Sequence, residues 1–262
     1  MADNLKIDTD RLNNLRVKIL KAAVNSGEGH IPSSLSILDI LYCIYILLPK
    51  VSNVNFREDD FFVLSKGHAA LALYAVLEEA GFIDSDWETT FCNFTSKFGG
   101  HPDMNKITGV KASTGSLGHG LPITLGKILA KRILGIKCRA ICLIGDGELN
   151  EGTIWESLML AAHHNMEELT IVIDSNGSGD RAVRLDSLES KFKAFNFDVT
   201  NINGHAHIEI VSSLIRKQEN KPHVIIAQTI KGYGILEMEN NPAWHHAVPN
   251  KGELEKFMTG LK

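Results

Sequence analysis

The chain has 262 residues, enough to bury a substantial core in one large domain or two small ones. Hydrophobic residues at 44% and charged residues at 22% place it with ordinary globular proteins, and a formal net charge of −4 without a basic cluster argues against nucleic-acid binding. The N-terminus MADNLKIDTDR lacks the apolar centre of a secretory signal, and the most apolar run, Ile37 to Leu48, contains Asp39 and is too short to span a bilayer.

Asp8 to Asn25 reads as a helix, with Asp8 or Thr9 as its cap and Leu12, Leu15, Ile19, Leu20 and Ala23 on one face. A loop, Ser26 to Ser36 (SGEGHIPSSLS), leads to a second helix over about Leu35 to Leu48 that should end before Pro49. Phe61 to Leu64 is a short strand buried on both faces, and Ser65-Lys66-Gly67-His68 turns into a helix over Ala69 to Ala80. Trp87 to Phe94 suggests a short helix. Lys97 to Gly118 is a long loop holding His101 and the Gly-rich TGSLGHG, and a helix over Leu121 to Leu134 follows. Further on come a helix end and strand within Lys191 to Thr200, a helix over Ile208 to Gln218 and a strand over Pro222 to Thr229. The four cysteines, in or beside apolar segments and without a CxxC pair, read as reduced core thiols of a cytoplasmic protein. The expected fold is α/β, a single domain over residues 1–262: a doubly wound, mostly parallel sheet with helices on both faces.

The chemistry centres on LIGDGELNEG, Leu143 to Gly152. An apolar strand runs into Gly145-Asp146-Gly147, and a helical pattern then carries Trp155, Leu158, Met159 and Ala162. A second strand, Leu169 to Ile173, ends on Asp174-Ser175-Asn176. The 30 residues from Asp146 to Asn176 suit one helical crossover between parallel strands. An acid and an amide at the carboxyl ends of neighbouring strands, with a helix N-terminus aimed between them, suit a hard cation holding a diphosphate. Gly-Asp-Gly alone is equally a tight turn; the second strand with its D-x-N ending favours the cation reading. His30, His68, His101, His119 and the pair His245 and His246 stand in turns or loops. Surface loops collect histidines, but His30, His68 and His101 each follow a glycine near an apolar segment, a setting suited to binding hydroxyls or phosphates and to proton transfer. Neither an HxxxH nor a Cys/His spacing suggests catalytic zinc.

Together these blocks resemble the N-terminal, diphosphate-binding half of transketolase, and in particular split transketolases, whose halves are separate polypeptides. SGEGHIPSSLS is similar to the family's SGHPGGSLS, and LSKGHAALALYAVL to its SKGHA block. GGHPD, STGSLGHG, GDGELNEGTIWE and the closing WHH follow in the family order, from about Leu5 to Pro249. The resemblance implies thiamine diphosphate and a divalent cation, Mg²⁺ or Ca²⁺, held by Asp146, Asn176 and the backbone carbonyl of Ser178. It implies that the Gly147 N–H and His68 meet the diphosphate, that Gly115 and Leu117 line the cofactor, and that Glu151 belongs to the cofactor site or to a glutamate network at the subunit interface. His30, His101 and a histidine of the pair would face the substrate and the reacting carbon. His245 directly follows Trp as in WHGK-type tails, so it is preferred for cofactor and substrate, with His246 as the alternative.

The implied activity is transfer of a two-carbon ketol unit from a ketose or ketose phosphate donor to an aldose acceptor. The family's glutamate that activates the aminopyrimidine lies in its second domain. The chain is therefore expected to need a separate C-terminal subunit, with pyrimidine-binding and C-terminal domains, in an α2β2 heterotetramer, and to be inactive alone. Two departures bear on substrate: GHIPSS replaces GHPGGS, and GSGDRAVRLDSLESKF after Asn176 is unusual. They suggest a sugar outside the ordinary pentose phosphates. The rival readings are the alpha subunit of a 2-oxo-acid dehydrogenase, deoxyxylulose-phosphate synthase, whose longer chain carries further domains, and a non-catalytic cofactor-binding subunit.

Overall fold

A computed structural model describes residues 8–51, 58–216 and 218–261. The expectations for the N-terminal peptide thus lie mostly outside the described residues. Five strands form one parallel sheet in the order β1-β2-β3-β5-β4: β1 Phe61–Leu64, β2 Ala140–Gly145, β3 Leu169–Ser175, β4 Asp198–Asn203 and β5 His223–Gln228. β1, β2, β3 and β5 are almost wholly buried because helices cover both faces, so their side chains are apolar without polar alternation. β4 is an edge, and along it only Ile202 is buried.

The pleat divides the core in two. Phe62, Leu64, Ile141, Leu143, Val172 and Ile225 point to one face, while Phe61, Val63, Cys142, Ile144, Ile171 and Ile173 point to the other. The first face packs against α1 (Thr9–Ser26), α2 (Ile31–Leu35), α3 (Leu38–Tyr42), α4 (Ala70–Glu79) and α9 (His207–Leu214). The second packs against α6 (Gly120–Ile133), α7 (Gly152–His163) and α8 (Leu188–Ala194). This is the expected doubly wound arrangement: β1 through β4 advance across the sheet, and the β4-to-β5 connection returns on the opposite face.

Asp8 caps α1 by accepting the Arg11 N–H, and Gly27 ends it at φ 72°. The second helix differs from expectation. Helix begins at Ile31, within the supposed loop, because Pro32 fits a first helical turn, where no N–H partner is needed. It breaks after Leu35, resumes as α3, passes into a π-helical turn over Cys43–Leu47 and ends in a 3₁₀ turn that contains Pro49. The helix expected over Trp87 to Phe94 is one turn, α5 (Trp87–Thr90). α9 stops at Leu214, short of the expected Gln218, and residue 217 lies outside the described residues. A capped helix, α10 (Lys251–Thr259), follows the expected elements, with an Asn250/Glu253 capping box. Met159, in the helical pattern after Gly147, is 56% exposed. All four cysteines are free; Cys43, Cys138 and Cys142 are buried, but Cys92 is only half-buried, against the reading of four core thiols.

Candidate active site

The carboxyl ends of β1, β2, β3 and β5 open into a cleft of about 500 Å³. β1 delivers Lys66 and His68, β2 delivers Asp146 and Gly147, and the turn after β3 delivers Asn176 and Ser178. The start of α2 adds His30 and Ser33. The loop after α5 adds His101, Gly115 and Leu117, and the segment after β5 adds Lys231, His245 and His246. That loop is long but anchored: Phe98 is fully buried, Thr114 Oγ1 donates to Leu64 O at 2.6 Å, and Tyr74 OH donates to Gly99 O at 2.9 Å.

At the cation end, Asp146 accepts the N–H groups of Asn176 and Gly179, each at 3.1 Å. Asn176 donates its amide to Asp174 Oδ2 at 2.8 Å and accepts Ser178 N–H at 3.0 Å. Gly179 is needed for this approach, since a Cβ there would lie 2.8 Å from Asp146 O. Burial, reinforced by the charge of Asp174, pushes the Asp146 carboxyl up. A cation would relieve that cost, and carboxylate, amide and carbonyl oxygens form a hard donor set. A Cβ built on Gly147 meets nothing within 4 Å, so its backbone is open to an approaching group. These residues fit the implied cation and diphosphate. The helix N-terminus does not follow Gly147 directly. A 3₁₀ turn, Asp146–Asn150, intervenes before α7.

Beneath this lies a buried ion pair between the SKGH and DSN blocks, a pairing that no local spacing indicates. Lys66, 1% exposed, bonds to Asp174 Oδ2 and donates to Ser33 O at 3.1 Å. Asp174, fully buried, also accepts from Ser36 at 2.8 Å and from Thr229. Burial opposes its charge, but Lys66 and the two hydroxyls outweigh it and hold the carboxyl below its ordinary range.

At the other end, the His30 and His68 ring centroids are 5.2 Å apart, and those of His30 and His246 4.5 Å. Burial, then the neighbouring His246 and His245, lowers His30 to about 4. Burial and Lys66 lower His68 to about 2. Both rings are therefore neutral near pH 7, each with a nitrogen lone pair that can accept a hydrogen bond. Lys231 Nζ donates to Ser178 Oγ at 3.0 Å and lies 2.9 Å from His245 Nδ1, linking the two ends.

Of the residues singled out by sequence, His30, His68, His101, Gly115, Leu117, Asp146, Gly147, Asn176, Ser178, His245 and His246 share the cleft. Glu151 does not line it. Its side chain is exposed and packs beside the TGSLG loop, where a Cβ on Gly118, at φ 82°, would fall 2.7 Å from Glu151 Cβ. The buried carboxylate is Glu148, which accepts Ser65 Oγ at 2.6 Å, Gly145 N–H at 2.9 Å and Gly118 N–H at 3.0 Å. His119 is also exposed and outside the lining.

Residues 7–260 match the family described as "Transketolase, thiamine diphosphate binding domain". The chain belongs to the transketolase family. It is 38% identical to one subunit of the apulose-4-phosphate transketolase of Actinobacillus succinogenes, over 95% of this chain and 93% of that protein. It is 35% identical to a 6-deoxy-6-sulfo-D-fructose transketolase subunit of Clostridium sp., over 89% and 88% of the two chains. The fold superposes on Campylobacter jejuni transketolase with a TM-score of 0.84 at 29% identity, covering 96% of this chain and 42% of that one. The chain is thus a transketolase-type transferase subunit corresponding to the N-terminal, thiamine-diphosphate-binding portion of longer transketolases, which sets aside the 2-oxo-acid dehydrogenase reading.

Proposed function

We propose that this chain is the cation- and diphosphate-holding subunit of a two-component transketolase, acting on a specialised ketose phosphate or a comparable acidic sugar. The observation that carries this reading is the single cleft with hard oxygen donors at one end and a histidine cluster at the other. Thiamine diphosphate, when bound, supplies a nucleophilic carbon and an electron sink for the two-carbon fragment. Asp146, Asn176 and the Ser178 carbonyl hold Mg²⁺ or Ca²⁺; the Gly147 N–H and His68 meet the diphosphate; Gly115 and Leu117 border the cofactor. His30, His101 and His245 bind the sugar hydroxyls, and neutral His30 accepts a hydroxyl proton and returns it. Exposed Glu151 belongs to a subunit interface rather than to the cleft.

A partner chain carrying the pyrimidine-side glutamate completes the enzyme as an α2β2 assembly. The relatives of similar length support this, being named as subunits. The unpaired cysteines suit the cytoplasm, and among the described residues no helix is long and apolar enough to cross a membrane. Residues 1–262 act as one domain. The specialised substrate is supported by Ser33, which lines the cleft within the altered GHIPSS loop, and by the sugars named for those relatives.

Titrating thiamine diphosphate with Mg²⁺ into the chain, alone and with its partner, tests the cofactor assignment; no binding in either case overturns it. A donor panel on the reconstituted pair, comparing apulose 4-phosphate, 6-deoxy-6-sulfofructose and xylulose 5-phosphate, tests the substrate. Xylulose 5-phosphate as the best donor would reject a specialised sugar.

A further inference from the structure

The sequence carries no zinc-type spacing, yet the fold assembles a set of metal-ligating nitrogens. His30 stands at the start of α2, and His245 and His246 follow the 3₁₀ turn Pro242–Trp244. One ring nitrogen from each comes within 4.8 Å of the others. The rings meet edge to face, with centroids 4.4 Å apart for His245 and His246, 4.5 Å for His30 and His246, and 5.7 Å for His30 and His245. The set contains no carboxylate. Imidazole nitrogens favour d-block divalent ions over Mg²⁺ or Ca²⁺.

We propose that His30, His245 and His246 form a second cation site, for a d-block divalent ion such as Zn²⁺, separate from the oxygen site of Asp146, Asn176 and Ser178. Zinc bound by three protein nitrogens at about 2.0–2.1 Å keeps a fourth position open. The nitrogens must draw together to reach that geometry. Both His245 and His246 are exposed, so their side chains can move toward His30 without disturbing the core. If the ion takes Nδ1 of His245, it displaces Lys231 Nζ, which lies 2.9 Å away. The second histidine of the WHH block makes the site. His30 and His245 alone would offer two ligands, and His246 completes a facial set of three.

The consequence for the reaction rests on the function proposed above. An ion here would occupy the nitrogen lone pairs that the proposed function assigns to the sugar hydroxyls. Filling the site therefore inhibits ketol transfer by competing with the sugar and not with thiamine diphosphate.

The test uses the full chain without a polyhistidine tag. Zn²⁺ binding is followed by calorimetry in excess Mg²⁺, and Co²⁺ binding by the visible bands of the bound ion. The expected result is saturable binding that Mg²⁺ does not displace, weakened about tenfold or more in each of His30→Gln, His245→Gln and His246→Gln. A His163→Gln/His164→Gln variant controls for the other adjacent pair, whose rings are 5.0 Å apart, and should bind as the parent does. Unchanged affinity in His246→Gln, loss in the control, or displacement by Mg²⁺ would overturn the site. Melting curves of each variant separate lost ligation from lost folding. In the reconstituted enzyme, Zn²⁺ should raise the KM for sugar with little effect on cofactor affinity; bound Zn²⁺ without inhibition would overturn the functional consequence while leaving the cofactor assignment intact.

Discussion

At the scale of single residues, Lys66 and Asp174 decide how the proposed cation site is held. Asp174 takes the Asn176 amide on the same oxygen that meets Lys66, so the buried ion pair sets the orientation of a proposed cation ligand. Removing only the ammonium leaves a buried charge without its counter-charge. Lys66→Met should cost about 3–5 kcal/mol in urea denaturation, with part of it regained in Lys66→Met/Asp174→Asn. A single variant as stable as the parent would show that Asp174 is not charged there. The same logic gives a second outcome. Asp174→Asn should weaken Mg²⁺-dependent cofactor binding about 10- to 100-fold, measured by calorimetry, although Asp174 is not itself a proposed ligand.

Between elements, Asp39 acts as a hub. From α3 it accepts His205 Nδ1–H at 2.9 Å and His207 Nε2–H at 2.8 Å, and Arg16 of α1 lies 3.6 Å away. Burial opposes its charge, but the two histidine hydrogen bonds and Arg16 outweigh it and hold the carboxyl down to about 2. His205 Nε2 in turn accepts Ile230 N–H at 2.9 Å, and its ring stacks on Tyr233 at 3.5 Å between centroids. The hub therefore fixes the loop that carries Lys231 into the cleft. Asp39→Ala should destabilise the fold by about 3–5 kcal/mol. It should also speed hydrogen exchange at the Ile230 amide beyond the change at β2 amides. Equal acceleration at both places would mean global loosening only. At the other loop contact, Gly179→Ala should push the turns after β2 and β3 apart and weaken cation binding while leaving the melting cooperative.

For the whole molecule, the proton balance sets acid stability. His30 and His223 are lowered to about 4 and His68 to about 2, each chiefly by burial. The unfolded chain binds these protons near pH 6.5, the folded chain only at lower pH, so stability falls as pH drops below about 6.5. Asp39 adds a loss of its own sign: its charge stabilises above the ordinary carboxylate pKa and that contribution disappears as pH falls toward about 2. Tm should therefore decline steadily from about pH 6.5 to 4 in calorimetry. A flat Tm over that window would contradict the neutral buried histidines.

Much of this architecture is legible in the order of residues. Apolar runs such as Ala140 to Ile144 and Leu169 to Ile173 read as buried parallel strands, which they are, and the acid and the amide that follow them point to the proposed cation site. The Gly- and Ser-rich loop hides a helix start at Ile31, where Pro32 suits the first turn, and Pro49 misleads the reading of the helix end because proline also suits the first turn of a 3₁₀ segment. The resemblance points to Glu151 and does not single out Glu148. Both follow Asp146, and only the tight turn after β2 buries the first and exposes the second.

The sequence by itself determined the sheet, the cofactor class and most of the cleft, because each rests on a local pattern: strand periodicity, a turn with its acid, a glycine before a histidine. Tertiary structure alone decided which charges meet. Lys66 finds Asp174, Asp39 finds His205 and His207, and His30 finds His245 and His246 across wide gaps in the chain. The physical reason is that burial makes an unpaired polar group costly, while the partner that relieves the cost is set by strand order and crossover, which no local spacing records.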